Sequence, residues 1–452
     1  MRRRDVLGMP AAALLASQAR AAETAKPNII FILADDLGYG DLGCYGQKEI
    51  QTPNLDRMAS EGLRFTQAYA GSTVCAPSRC CLMTGKHTGH ATVRGNVKPE
   101  AGLLSEEPTV PSLLKAAGYR TALFGKWGLG GPGTGSVPNT RGFDEFYGYL
   151  DQQHAHNSYP EHLWENQNEV FLVGNWFNQR KQFSHDLFTQ RALKFVAGAR
   201  EPFFLYLAYT IPHANNELGA VTGNGIETPD DTPYSSRPWP QAERNFAALI
   251  SRMDADIGRL FAALKQAGRD ENTLVIFSSD NGPHQEGGHK PEFFRSTGPL
   301  RGIKRDLYEG GIRVPYLARW PGRIPAGRTS DEVITFWDFL PTAAQLAGVP
   351  VPKGIDGIST LAAHMGRPQT QRHEYLYWEF HERGFAQAVR FGNWKCFRRN
   401  PGMPVEVYDL AADLGEQNNI ASKTPDVVRR AEELFRTART DSERFPVRPS
   451  KG

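Results

Sequence analysis

Two acidic pairs stand where chemistry is to be expected. Asp35-Asp36 closes the apolar run 28–34, and Asp280-Asn281 follows the apolar run 273–277. Three carboxylates and an amide brought together out of water are costly unless a cation joins them. An all-oxygen set without paired His or Cys suits a hard ion, Ca2+ or Mg2+, rather than zinc. Asp and Asn also cap helices well, so either pair alone reads as well as a cap. A second feature is Cys75-Ala76-Pro77-Ser78-Arg79. Pro77 suits the first turn of a helix, which puts Cys75 at an N-terminus that favours anions and Arg79 one turn on, able to fork onto the same anion. A reactive thiolate, an anion site and an ordinary capped helix all remain open on these residues alone.

The elements that must position these groups are four short apolar runs ending abruptly in polar residues: 28–34 before Asp35, 121–124 before Lys126, 202–209 before His213, and 273–277 before Asp280. Continuous runs of this kind read as strands buried on both faces, hence a largely parallel sheet covered by helices, with ligands at the carboxyl ends. Helical patterns lie between them at 54–62, 112–117 and 246–268. The expected fold is α/β, a large domain with a mostly parallel central sheet over residues 26–347. A Pro- and Gly-rich linker follows at 348–368, then a small α+β domain at 369–452, with short antiparallel runs and a helix at 425–435.

Composition narrows the class. The chain has 452 residues, 52 Lys+Arg against 49 Asp+Glu and a formal charge of +3. Arg2, Arg3, Arg4 and Arg20 lie in residues 1–22 with one acid, Asp5, so the remainder is formally neutral. No basic block occurs there, which disfavours nucleic acid as a partner. The leader, three arginines and then a short apolar stretch, reads as an export signal of twin-arginine type, giving a periplasmic or extracellular protein. No later run reaches the about 18 apolar residues of a membrane span, so no stable membrane insertion is expected. Five cysteines, Cys44, Cys75, Cys80, Cys81 and Cys396, are too few and odd in number for a disulfide framework.

Cys75-Ala-Pro-Ser-Arg79 with Leu82-Met-Thr-Gly85 resembles the first signature of the sulfatase family, and Gly118-Tyr-Arg-Thr-Ala-Leu-Phe-Gly-Lys126-Trp127 its second. Ala34 to Asp41, Ser279 to Gly282, Leu300 to Lys304 with Tyr308 to Arg313, and Glu406 to Leu410 match further blocks in family order, over about residues 26–422. The resemblance implies an alkaline-phosphatase-like fold and hydrolysis of sulfate esters. It implies that a formylglycine-generating enzyme oxidises Cys75 to an aldehyde, whose hydrate attacks sulfur, releases the alcohol and then eliminates sulfate. By position, Asp35, Asp36, Asp280 and Asn281 would hold Ca2+ with modified Cys75. Arg79 would orient the diol, Lys126 and Lys304 would bind sulfate oxygens, and His213 would act as general acid. The substrate expected is a sulfated carbohydrate or an aryl sulfate.

One departure stands out: the second signature usually continues Trp-His, whereas Gly128 follows Trp127 here. His154 and His156, in an aromatic and polar segment, and His284, just past Asp280-Asn281, are the candidates for a replacement donor or substrate subsite. Two other functions stay open, a phosphodiesterase or phosphonate hydrolase of the same superfamily and a non-catalytic binder of sulfated glycans.

Overall fold

Ile29, Phe31 and Leu33 point to one side of the first strand and Ile30, Ile32 and Ala34 to the other, and all six are fully buried in two separate cores. That double burial makes this strand the centre of the sheet. The computed structural model describes residues 26–96, 102–200, 202–382 and 384–447; the expected export signal, residues 1–22, lies outside them. Among the described residues ten strands form one sheet, in the order Arg328–Ser330, Leu63–Phe65, Tyr316–Arg319, Thr273–Ser279, Asn28–Asp35, Phe203–Pro212, Arg120–Lys126, Glu145–Tyr149, His162–Glu165 and Asn168–Phe171. The five from Thr273–Ser279 through Glu145–Tyr149 run parallel.

Register then does the positioning. Ala34 lies opposite Ser279, Leu33 and Gly125 both flank Ala208, and Lys126 lies opposite Tyr149. The polar residues that end the four expected strands therefore emerge at one rim. One face of the sheet is covered by the helices Cys75–Thr84, Val110–Ala116 and Phe339–Ala347, the other by Pro53–Glu61, Ser184–Gly198 and Gln241–Gln266.

Cys75–Thr84 is buried at every position, which hides it from any search for helical periodicity. Glu145–Tyr149 was not foreseen as a strand, because Gly148 interrupts it. Glycine is required there, since a Cβ would come within 1.8 Å of the Gly125 carbonyl oxygen.

The smaller sheet is antiparallel, Leu376–Phe380, Ala386–Phe391, Trp394–Arg398 and Glu406–Asp409 in sequence order, with helix Pro425–Thr437 packed on it. Its other face, with Leu376, Trp378 and Phe380, joins the core on one side of the large sheet, where Trp378 Nε1 donates to Ala70 O at 3.0 Å. The segment 348–368, expected as a linker, is docked on the large domain as a strap. Asp356 and Gly357 N–H both donate to Gly85 O (2.9 and 3.0 Å), and Thr360 N–H donates to Thr342 Oγ1 at 2.9 Å. Pro and Gly mark a break in helix or strand but say nothing about whether the irregular backbone is docked.

Candidate active site

Cys75 is the first residue of its helix, after Val74 in extended conformation. Its Sγ lies 3.3 Å from Asp35 Oδ1 at the end of the central strand. Lys126 Nζ donates to the other oxygen of Asp35 at 2.7 Å. Arg79, one turn into the helix and wholly buried, donates through Nε and Nη2 to Asp280 Oδ2 (3.1 and 2.8 Å) and through Nη1 to the Lys126 carbonyl at 2.8 Å. Asp280 Oδ1 in turn accepts from Asp36 N at 3.1 Å, and Asn281 Nδ2 donates to Asp36 Oδ1 at 2.7 Å. Lys304 Nζ donates to Asp36 Oδ2 at 2.7 Å and reaches His213 Nε2 at 3.1 Å. All nine expected nucleophile, metal and sulfate residues thus converge from four strand ends, one helix and the loop carrying Lys304.

The charges are tightly opposed. Burial works to raise the Asp35 carboxyl, but Lys126 and Arg79 outweigh it and hold Asp35 well below the ordinary range. Asp280 goes the other way, pushed up to about 7 by burial and by the Asp35 carboxylate. Burial and Asp35 also push the Cys75 thiol well above its usual value. Burial and the surrounding carboxylates therefore work against a thiolate at this position.

The oxygens fit a hard cation. Asn281 Oδ1 is buried and has no hydrogen-bond partner, and an orphaned acceptor beside three carboxylates suits a cation. Asp36 holds φ at +66°, an unusual conformation for a non-glycine residue that turns its carboxylate toward the cluster.

His213 is buried, its Nδ1 is 2.6 Å from Ala214 O, and its Nε2 faces the Lys304 ammonium. A carbonyl can only accept, so Nδ1 carries the hydrogen and Nε2 accepts from Lys304. Burial and Lys304 hold its pKa well below the usual value.

These residues open on a cleft of about 180 Å³ lined by Cys75, Gln152, His156, His213, Glu217 and Lys304, among others. His156 lies on it. His154 and His284 do not. His154 turns away to pack against Tyr149 and His162 (ring centroids 5.0 and 4.5 Å). His284 is fully buried, with Nε2 3.1 Å from Pro212 O and Nδ1 accepting from Glu286 N at 3.1 Å. It braces the turn behind the site. Sequence spacing could not separate these three histidines, because their directions depend on turns whose backbone the sequence does not fix.

Three functional neighbours escaped the sequence reading. Glu286 accepts from Lys304 at 3.3 Å and from Arg305 at 2.5 Å. Glu217 faces His156 across the cleft mouth. Gln152 occupies the space beside Gly128: a Cβ at residue 128 would lie 2.0 Å from Gln152 Nε2, which donates to Gly128 O at 3.3 Å. Only the position of Glu286, six residues past Asp280, offered any signal.

A parallel sheet with an anion-facing helix terminus and a carboxylate cluster at its carboxyl rim defines an α/β enzyme of alkaline-phosphatase-like architecture. A family model described as Sulfatase matches residues 27–349, and one described as N-sulphoglucosamine sulphohydrolase, C-terminal, matches residues 303–439. The chain is 31% identical to N-acetylgalactosamine-6-sulfatase of Canis lupus familiaris, over 93% of this chain and 81% of that protein. It is 33% identical to arylsulfatase A of Homo sapiens, over 95% and 90%. A crystal structure of Ps i-CgsB in complex with k-i-k-neocarrahexaose superposes with a TM-score of 0.79 at 29% identity, covering 91% of this chain and 92% of that one. The chain belongs to the sulfatase family, and it is a sulfuric ester hydrolase.

Proposed function

We propose that the enzyme hydrolyses O-sulfate esters of carbohydrates, accepts aryl sulfates, and works with formylglycine at residue 75 and with calcium. The observation that carries this is the position of Cys75: first in its helix, 3.3 Å from Asp35, in a cleft it shares with Lys304. Burial and Asp35 work against a thiolate at this position, and oxidation of Cβ to an aldehyde would supply a nucleophile that needs none.

Asp35, Asp36, Asp280 and Asn281 would hold calcium, which when bound neutralises the carboxylates and favours an anionic oxygen at residue 75. Arg79, locked by Asp280 and the Lys126 carbonyl, orients the groups at that helix start. Lys126 and Lys304, turned from their carboxylates toward the substrate, bind sulfate oxygens as point charges. The hydrate oxygen at residue 75 forms a bond to sulfur as the ester S–O bond breaks, and the departing oxygen takes a proton from the Lys304–His213 couple. Loss of a proton from the second hydroxyl then reforms the C=O bond and expels sulfate; water rehydrates the aldehyde.

A carbohydrate ester is supported by the polar cleft wall of Gln152, Gln153, His156, Asn216 and Glu217, groups suited to sugar hydroxyls. Export rests on the sequence of residues 1–22; no described helix is long and apolar enough to cross a membrane. The test is intact mass of the peptide containing residue 75, from protein made with a formylglycine-generating enzyme, together with sulfate release. Conversion makes the peptide about 18 Da lighter. An unmodified thiol in a fully active preparation would overturn the reading.

A further inference from the structure

Two segments far apart in sequence build the outer wall of the cleft, the turn holding His154–His156 and the helix Asn216–Thr222. His156 and Glu217 meet between them. His156 Nδ1 lies 3.0 Å from Glu217 Oε2 and 3.3 Å from Oε1, and Gln153 Nε2 donates to Oε1 at 3.0 Å. The His156 ring stacks on His213, with centroids 4.9 Å apart and planes 18° off parallel. The imidazole is thus fixed in tilt by His213 and in rotation by Glu217.

An ionised carboxylate can only accept, so Nδ1 carries the ring hydrogen. In the neutral imidazole, Nε2 is then a lone-pair acceptor, and no described residue gives it a hydrogen bond. The charged and titratable groups facing the ring are Glu217 on the solvent side and Lys126, Lys304 and His213 on the inner side. Burial first, and then Lys126, lower its pKa despite Glu217, so the ring is neutral at pH 7.

We propose that His156, in the tautomer imposed by Glu217, is a specificity-determining residue that accepts a hydrogen bond from a hydroxyl or amide N–H adjacent to the sulfate. This rests on the carbohydrate reading above and narrows it to saccharides with a free hydroxyl or N-acyl group beside the sulfated carbon. Glu217 is a positioning residue, because it acts only through the imidazole. A ring turned by 180° would place N–H in the cleft and select an acceptor instead.

The experiment uses the matured, calcium-loaded enzyme with pairs of sugar sulfates differing only at the neighbouring position, hydroxyl against deoxyfluoro. Fluorine accepts weakly and cannot donate, so it removes the one contact. The wild type is expected to lose about tenfold to a hundredfold in kcat/KM on the fluoro member at one position, as one hydrogen bond in a desolvated cleft predicts. In His156→Ala the ratio between the two members falls to about one, and in Glu217→Gln, which frees the tautomer, it falls part of the way. Thermal unfolding of both variants checks that they fold.

A fluoro penalty surviving undiminished in His156→Ala overturns the assignment, as does a wild type indifferent to fluorine at every neighbouring position. A wild type that hydrolyses aryl sulfate but no sugar sulfate would instead overturn the carbohydrate reading itself, and this proposal with it.

Discussion

Gly128→Ala tests whether Gln152 fills the space that a side chain at residue 128 would take. Backbone φ at Gly128 is +72°, and an added Cβ would lie 2.0 Å from Gln152 Nε2 and 2.9 Å from its Cδ. The left-handed conformation costs alanine about 1–2 kcal/mol. Displacing the carboxamide loses its bond to Gly128 O, worth about 1 kcal/mol. The single substitution should therefore cost about 2–3 kcal/mol. Gln152→Ala alone loses the bond to Gly128 O, about 1 kcal/mol. In the double variant the clash is gone and the bond is lost once rather than twice. Its cost should thus equal that of Gly128→Ala, a coupling of about 1 kcal/mol between the sites. Denaturant unfolding at constant m-value measures this directly. Activity should follow the same pattern, because both singles remove the carboxamide from the cleft wall: the double loses no more kcat/KM than Gly128→Ala. Strict additivity, in stability or in rate, would refute the claim that Gln152 occupies this space.

Other expectations follow from the same contacts. If calcium sits as proposed, it would relieve repulsion among Asp35, Asp36 and Asp280, so chelation should lower the unfolding temperature and re-addition restore it; a chelator without effect on the melting curve would argue against the carboxylate cluster as the metal site. Lys304→Ala should lower kcat by roughly a hundredfold to a thousandfold, the usual scale for one donor to developing charge, and steady-state kinetics on an aryl sulfate would expose a smaller role. His87 is buried, and burial lowers its pKa to about 4 from 6.5. Its folded value lies below its unfolded one, so its contribution is complete above pH 6.5 and is lost as pH falls from 6.5 toward 4, amounting to about 3 kcal/mol. His87→Gln should flatten the pH dependence of unfolding free energy in that window, and an unchanged slope would exclude the effect. Lys395, fully buried, bridges Glu416 at 3.4 Å and Glu309 at 3.0 Å, the latter opening the short helix Glu309–Ile312 of the large domain. Lys395→Met should cost about 3 kcal/mol by leaving Glu416 without its cation, while Glu309 keeps Arg313 at 3.3 Å, and adding Glu416→Gln should recover part of it in denaturant unfolding.

The central strands were legible because burial on both faces leaves an unbroken apolar run, and the acids that end those runs were legible for the same reason. The helix that begins at Cys75 was found through Pro77 and the motif around it, not through periodicity, because no face of it meets water. Glu145–Tyr149 was hidden by Gly148, which the close approach of the Gly125 carbonyl demands. Among the histidines, His156 reached the cleft while His154 and His284 did not, a difference of side-chain direction that no spacing rule supplies.

By itself the sequence determined the family, the four central strands and the polar residues that end them; the sulfate-binding roles of Lys126 and Lys304 came only from the family resemblance. The strands and their ends follow from local pattern, since burial on both faces leaves its mark on neighbouring residues. Tertiary structure alone decided the partners brought together across long separations. Glu217 fixes His156, Gln152 fills the space at Gly128, Glu286 holds Lys304 and Arg305, and the strap at 348–368 docks on Gly85. A carboxylate or amide has the same composition wherever it stands, and its function depends on what the fold sets within about 3 Å of it.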